Sequence, residues 1–238
     1  MVFGRCEGGT GSAGASDSRV RDDQVMEASP LGPFVYAKKG HEAENLAKLR
    51  AETWRAMEDS LRAGKCRAIG VSNFTVSHLE ELRKTAVLWP PAVNQVELHP
   101  YSPQKTLRAY CASHGIVVQA YGSLGGQDAG AAATACLGGP LLRHPAVLKV
   151  AARHAGATAA GVLLRWATQQ GVAVVPKSSA AARMAENLAA AVGSGGDGGG
   201  AWSLDAADMA ALDELDQSTK PESRLCWRTD PLKHLAFE

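Results

Sequence analysis

The segment CRAIGVSNF, residues 66–74, contains an apolar run that stops abruptly in a serine and an asparagine. Its β-branched side chains predict a strand over residues 66–72, because such side chains pack well on a pleated surface. Ser72 and Asn73 then lie at the carboxyl end of that strand, where both side chains can donate and accept hydrogen bonds. The question that follows is what these two side chains bind.

Three later segments repeat the pattern of a short apolar run followed by a helix. Strands are predicted from Val93 to Pro100, over 116–121 and over 172–176. Helices between successive strands favour parallel pairing, because parallel neighbours need a crossover connection. The runs are apolar rather than alternating, as expected where both faces of a sheet are covered. Each run ends in polar or aromatic residues that would meet at one edge of the sheet: Asn94 and Gln95, Tyr121, Lys177 and Ser178.

Apolar residues at helical spacing predict a first helix that begins near Glu44 and ends at Gly64. Ser102 and Pro103 are a favourable N-cap and first-turn pair for a helix that ends at Gly115. Five more helices are predicted, over 77–86, 145–155, 158–170, 179–190 and 205–215.

Residues 1–42 differ from the rest of the chain in composition and periodicity. They are rich in Gly, Ser and Asp without sustained periodicity, which predicts a disordered or weakly structured N-terminal arm. The stretch GTGSAG, Gly9 to Gly14, formally matches a dinucleotide fingerprint, but no strand precedes it and no helix follows, so a flexible linker is the better interpretation. Residues 43–238 are predicted to form the folded domain.

Composition excludes several classes of protein. Lys and Arg number 25 against 24 Asp and Glu, which gives no electrostatic case for nucleic acid or a membrane surface. No secretory signal or membrane-length apolar run is seen, and a cytoplasmic location is expected. Metal-ligand spacing is absent, and the cysteines are odd in number and widely scattered, which disfavours a disulfide framework: Cys6, Cys66, Cys111, Cys136 and Cys226.

Several long motifs, in order, resemble the aldo-keto reductase family. They cover about residues 43–219, with a weaker match in the tail: GKCRAIGVSNF (64–74), PAVNQVELHPY (91–101), IVVQAYGSLG (116–125), LLRWATQQGVAVVPKS (163–178), RMAENL (183–188) and SRLCW (223–227). The resemblance implies an α/β fold, namely a partial (β/α)8 TIM barrel equivalent to strands 5–8 with their helices. It also implies an NADP-dependent oxidoreductase that reduces a carbonyl to an alcohol.

The resemblance assigns cofactor-binding roles at the strand ends. Ser72, Asn73 and Gln95 correspond to residues that hydrogen-bond the nicotinamide carboxamide, whose planar donor and acceptor suit hydroxyl and amide groups. Tyr121 corresponds to the residue that stacks under the nicotinamide ring, and Leu124 to one that lines the pyrophosphate. One departure follows Tyr121, where the family commonly has Ser and this chain has Gly. For these positions, plain polar capping of strand ends is the alternative.

A second cluster corresponds to the adenine end of NADP(H). Lys177, Ser178 and Arg183 match residues that clamp the 2′-phosphate, while Glu186 and Asn187 match residues that hold the adenine. A dianionic phosphate is well met by Lys, a guanidinium and helix N-terminal amides together. Arg183 favours NADP over NAD. The alternative is a solvated basic spot before a helix.

No catalytic residue is assigned, because the family's Tyr, Lys, Asp and His come from separate strands of the first half of the barrel. Tyr36, Lys38, Lys39 and His41 are clustered within a few residues and do not match that arrangement. Three interpretations stay open. The chain is a truncated oxidoreductase acting on a small-molecule carbonyl, or a non-catalytic module that binds NADP or a protein partner, or a structural half-domain that does neither. Four strands would also leave two open edges, through which the chain could self-associate.

Overall fold

The computed structural model of the chain describes residues 43–126, 134–192, 202–220 and 223–226. These form two compact units. The first contains the described residues up to Gln95 together with Thr106–Val117, and the second contains Val96–Lys105 and the described residues from Val118 onward. The predicted arm over 1–42 lies outside the described residues, and the single domain over 43–238 stays a prediction.

At least one helix separates each pair of successive strands, which is the order expected of an α/β fold. The four strands lie in the order β1-β2-β3-β4 in a parallel sheet. Two short 3-10 helices lie at Ala135–Leu137 and Leu141–Arg143. The strands and α-helices are α1 (Ala43–Arg62), β1 (Val71–Ser72), α2 (Val76–Thr85), β2 (Val93–Glu97), α3 (Lys105–Ser113), β3 (Val117–Tyr121), α4 (Pro145–Arg153), α5 (Ala159–Thr168), β4 (Ala173–Val174), α6 (Ala181–Val192) and α7 (Ala206–Asp213).

In the first unit, β1 pairs with β2 so that Val71 lies opposite Asn94 and Ser72 opposite Gln95. Glu58 of α1 is buried, and its Oε1 accepts hydrogen bonds from the backbone N–H groups of Val87 and Leu88, both at 2.8 Å. This carboxylate fixes the connection between α2 and β2. The apolar core of the unit comes from both helices and the strand: Trp54, Met57, Ile69, Val71, Phe74, Leu79 and Leu82.

In the second unit, β3 pairs with β4, with Gln119 opposite Ala173 and Ala120 opposite Val174. Helix α5 begins after the N-cap Thr158, whose side chain accepts from the N–H of Gly161. The helix is buried over most of its length, because its side chains from Val162 to Ala167 pack inside the unit. Tyr101 is fully buried, and its hydroxyl donates to the carbonyl of Gly139 at 2.6 Å. The core of this unit lies around α4, α5 and β3: Val118, Ala120, Val147, Val150, Val162, Leu163, Leu164 and Trp166.

The observed strands are shorter than the strands predicted from the apolar runs. The first is Val71–Ser72 rather than 66–72, and the last is Ala173–Val174 rather than 172–176. Single backbone bonds extend the first pair, because the N–H of Ala92 donates to the carbonyl of Ile69 at 2.9 Å. The predicted apolar runs include buried residues that lie beside the sheet without pairing in it. Amino-acid composition does not distinguish these residues from residues that pair.

The prediction that Ser102 caps a helix is wrong. The N–H of Ser102 donates to the carbonyl of His99 at 2.8 Å and closes a turn, and Gln104 then adopts a left-handed φ of 51°. The helix begins only at Lys105. None of the helices within the described ranges is both long and apolar enough to cross a membrane.

Helix α2 begins in a capping box directly after the Ser72–Asn73 strand end. Thr75 Oγ1 accepts from the N–H of His78, and His78 Nδ1 accepts from the N–H of Thr75. Burial, reinforced by the nearby Arg50 and opposed by Glu81, lowers the pKa of His78 from 6.5 to about 4. The neutral imidazole is therefore part of the cap, since only an unprotonated Nδ1 can accept.

We expect the folded chain to lose stability as the pH falls from 6.5 toward about 4. In that window the unfolded chain takes up a proton on His78 and the folded chain does not, so protonation favours unfolding. Urea denaturation across the window measures the slope, and His78→Gln should make it shallower. Identical slopes in the two proteins would contradict this role of His78.

Candidate nucleotide site

The first unit brings Ser72 and Asn73, at the carboxyl end of β1, beside Gln95, which lies in the middle of β2 and not at its end as predicted. Ser72 Oγ donates to the carbonyl of Gln95 at 3.0 Å, and Asn73 Nδ2 donates to Ser72 Oγ at 3.2 Å. The backbone N–H of Asn73 donates to the same Gln95 carbonyl at 2.8 Å. All three residues are half-buried. The parallel register thus gathers hydroxyl and amide groups at one strand edge.

Two asparagines shape this strand end in different ways. Asn73 has a left-handed φ of 59°, a conformation that Asn tolerates better than most side chains. Asn94 is fully buried, and its side-chain amide donates to the carbonyl of Phe74 at 2.8 Å and accepts from the N–H of Phe74 at 3.3 Å. Asn94 therefore positions the chain that leaves β1 rather than facing a ligand, a role that the sequence reasoning did not assign.

In the second unit, Tyr121 is half-buried at the end of β3, and Leu124 is half-buried in the loop that follows. Gly122 has a left-handed φ of 67°, and a Cβ added there would lie 2.8 Å from Cys226 Sγ. At this position, where the family commonly has Ser, a side chain would have to adopt a left-handed backbone and displace the Cys226 sulfur.

The basic cluster lies at the N-terminal end of α6. Lys177 and Arg183 are exposed, and Ser178 Oγ accepts from the N–H of Ala180 at 3.2 Å, just before the helix begins. Exposed cations beside the positive end of a helix dipole form an environment that attracts a phosphate. The structure thus places Lys177, Ser178 and Arg183 within one short segment.

Glu186 and Asn187 lie further along the same helix. Glu186 Oε1 accepts from the Thr158 hydroxyl at 2.5 Å, which links α6 to the cap of α5. Asn187 is 7% exposed. Both residues take part in the packing of α6, and their part in holding adenine stays a prediction.

The first unit contains the neutral hydrogen-bonding groups of Ser72, Asn73 and Gln95, and the second contains the Tyr121 ring and two exposed cations. The role of these groups in binding a nucleotide stays a prediction. Within the described ranges, no three His, Cys, Asp or Glu side chains are grouped as metal ligands. The sequence reasoning missed Glu97, a buried carboxylate in β2 that accepts from backbone N–H groups of the tail. Its signal was a charged residue inside an apolar run.

Comparison with known proteins gives a consistent result. The sequence model of the Aldo/keto reductase family matches residues 27–216. The chain is 35% identical over 205 residues to an NAD(P)H-dependent D-xylose reductase of Scheffersomyces stipitis, which covers 84% of this chain and 60% of that protein. It is 44% identical over 136 residues to a glyoxal reductase of Bacillus subtilis, covering 57% of this chain and 44% of that protein.

Solved structures show the same relationship. An aldo-keto reductase enzyme from a Medee basin deep-sea metagenome library superposes with a TM-score of 0.61 at 30% identity, covering 73% of this chain and 57% of that one. An aldo/keto reductase of Brucella melitensis gives a TM-score of 0.58 at 33% identity, covering 71% of this chain and 56% of that one. The chain therefore spans roughly half of the length of these proteins.

Asn94→Ala should lower the free energy of unfolding by about 2 kcal/mol, because it leaves the N–H and carbonyl of Phe74 buried without their amide partner. Urea denaturation measures the loss. Ser113→Ala removes an exposed hydroxyl that donates to the carbonyl of Tyr110 and should change the stability by less than about 0.5 kcal/mol. Equal effects in the two variants would contradict the role of Asn94.

Proposed function

This chain belongs to the aldo/keto reductase family, and we propose that it binds NADP(H) through the residues described above. The hydrogen-bonded cluster of Ser72, Asn73 and Gln95 carries the proposal. A nicotinamide carboxamide is a planar group with one acceptor and two donors, and this strand edge presents hydroxyl and amide groups that complement it. The wider architecture that we propose is a partial (β/α)8 barrel, equivalent to strands 5–8.

Tyr121 and Leu124, in the second unit, are further residues that we propose for nucleotide binding. A tyrosine ring offers a flat apolar face on which a nicotinamide can stack, and stacking fixes which side of the nicotinamide meets the substrate. Tyr121 is half-buried, so its ring is partly supported by protein and partly accessible. Leu124, three residues later, would line the pyrophosphate.

We propose NADP(H) rather than NAD(H) because of the exposed cations beside α6. A guanidinium pairs with two phosphate oxygens at once, and an ammonium adds a second charge. Arg183 and Lys177 are both exposed and free to turn toward a phosphate, while Ser178 adds a hydroxyl. Glu186 and Asn187 complete the proposed adenine end. The name of the D-xylose reductase relative gives NAD(P)H, which supports a nicotinamide cofactor without favouring either form.

The bound nucleotide would supply a hydride to the carbonyl carbon of a small aldehyde or ketone, and the carbonyl oxygen would need a proton from a general acid. Two described tyrosines are unsuited to that task. Burial raises the pKa of Tyr101 to about 12, and its hydroxyl donates to a carbonyl. Burial and the hydrogen bond to Glu80 raise the pKa of Tyr110 to about 12. We therefore propose that the described residues serve nucleotide binding rather than proton transfer.

We also propose a cellular location and a mode of self-association for the chain. We propose a cytoplasmic protein that self-associates through its outer strands β1 and β4, each of which pairs with one strand among the described residues. An unpaired strand edge can pair with another chain. Sedimentation velocity at increasing protein concentration tests this, and a single species at all concentrations would contradict it.

Arg183→Ala should weaken NADPH binding about tenfold and leave NADH binding within about twofold, because only NADPH carries the 2′-phosphate. Titration followed by tryptophan fluorescence measures both constants. Arg67→Ala removes another exposed guanidinium, which precedes β1, and is the matched control. Equal losses for both nucleotides, or equal losses in both variants, would contradict the phosphate clamp.

The wild-type chain should bind NADPH without oxidising it steadily when a generic aldehyde is added, because the described Tyr101 and Tyr110 have raised pKa values and are unsuited to donate the proton. The absorbance of NADPH over time measures this. Steady consumption would overturn the proposal of binding without turnover, and an absence of binding would overturn the nucleotide site itself.

A further inference from the structure

Glu97, the last residue of β2, holds the tail of the chain. It is 4% exposed, and its Oε1 accepts from the backbone N–H of Leu225 at 2.5 Å and of Cys226 at 3.0 Å. The same oxygen lies 3.0 Å from His99 Nε2. A carboxylate oxygen accepts, so this contact assigns the imidazole hydrogen to Nε2. One oxygen thus gathers three donors.

Burying the Glu97 carboxylate costs free energy unless its hydrogen bonds to the tail and to His99 are kept. Glu97 Oε2 and His99 Nδ1 are buried and have no hydrogen-bond partner among the described residues. Buried carboxylates lose much hydration energy, which the donors on Oε1 must offset. Loss of the tail would remove two of those three donors. The carboxylate is therefore strongly coupled to the position of the tail.

The tail segment that Glu97 holds, residues 223–226, is here named the strap. Its residue Leu225 is 2% exposed. The strap lies against residues 122–126, named the glycine loop, which follow directly after Tyr121. A Cβ on Gly125 would lie 3.5 Å from Leu225 Cδ1, and a Cβ on Gly126 would lie 3.5 Å from Cys226 Sγ. The strap and the glycine loop are therefore in close contact.

We propose that Glu97 is a positioning residue that seats the strap on the glycine loop and so orders the loop for the nucleotide. The inference rests on the proposed function, because the glycine loop contains Leu124 and begins after Tyr121. Three of the five residues in this loop are glycines with left-handed φ values. The loop therefore has few side chains of its own to hold it in one conformation. The strap supplies contacts to the loop in addition to those of Leu141, and Glu97 holds the strap in place.

The position of the strap also depends on Gly122, which lies next to Cys226. A Cβ there would lie 2.8 Å from Cys226 Sγ and 3.6 Å from Glu97 Cγ, and the first distance is too short for a carbon–sulfur contact. The residue must therefore lack a side chain while the Cys226 sulfur occupies this position. Gly122 and Cys226 form a complementary pair, in which one gives the space that the other fills.

The first unit provides a matched control for Glu97. Glu58 is also a buried glutamate whose Oε1 accepts from two consecutive backbone N–H groups, those of Val87 and Leu88. It holds a connection that contains none of the proposed nucleotide-binding residues. Glu58→Gln and Glu97→Gln make the same chemical change in the two units, and both keep an acceptor oxygen and the side-chain shape.

The first experiment is limited trypsin digestion of the full chain, with cleavage after Arg224 quantified by mass spectrometry. In the wild type the next residue, Leu225, is buried, so cleavage at this bond requires the strap to open. We expect Glu97→Gln to raise the cleavage rate about tenfold, since charged acceptors bind backbone N–H groups more strongly than neutral ones. Glu58→Gln should leave the rate unchanged. Equal rates in the wild type and Glu97→Gln would overturn the inference.

The second experiment titrates NADPH into the same three proteins. Glu97→Gln should weaken binding about fivefold or more, and Glu58→Gln should not, although both lose stability in urea. A strap that opens in Glu97→Gln with unchanged NADPH affinity would overturn the positioning role. Failure of the wild type to bind NADPH would overturn the proposed function, and with it the positioning role, while the digestion would still show separately whether Glu97 holds the strap.

A double-variant comparison tests the pair formed by Gly122 and Cys226. Gly122→Ala should speed cleavage after Arg224, and the double variant Gly122→Ala/Cys226→Ala should recover part of the protection, because the sulfur that clashed is gone. The left-handed φ of Gly122 disfavours alanine in both variants and so does not account for a recovery. A double variant no better protected than the single one would overturn the pairing of these residues.

Discussion

The parallel pairing of β1 with β2 is the constraint on which the rest of the proposed site depends. Because Ser72 lies opposite Gln95, the polar residue that ends β1 lies beside the polar residue at the centre of β2. A slip of one residue would reverse which side chains face the core. Asn94 opposes that slip, since its buried amide binds both backbone groups of Phe74.

Each unit uses one buried glutamate to hold a segment that has little regular structure. Glu58 binds the backbone before β2, and Glu97 binds the strap. A carboxylate can accept several hydrogen bonds, so it organises chain that cannot join a sheet ladder or a helix. The cost is a buried charge, which is acceptable only while its donors stay in place. Both glutamates therefore make local order depend on distant contacts.

The described tyrosines differ in their surroundings. Tyr121 is half-buried at the end of β3, whereas Tyr101 is fully buried. General acid catalysis is favoured by a pKa near the working pH, and the pKa values of Tyr101 and Tyr110 are raised to about 12. Burial supplies the physical reason, because it penalises the phenolate.

The sequence alone determined that helices and strands combine in an α/β fold with a parallel sheet, because periodicity and β-branching are local properties. It placed Gln95 at a strand end, whereas the structure has it in the middle of β2. It also carried the family resemblance. It did not determine strand lengths, the turn at Ser102 or the left-handed Asn73, since these depend on hydrogen bonds made within the folded chain. Only the tertiary structure joined Glu97 to Leu225, which are 128 residues apart. A contact at that separation leaves no periodic pattern, because it depends on how the whole intervening chain folds.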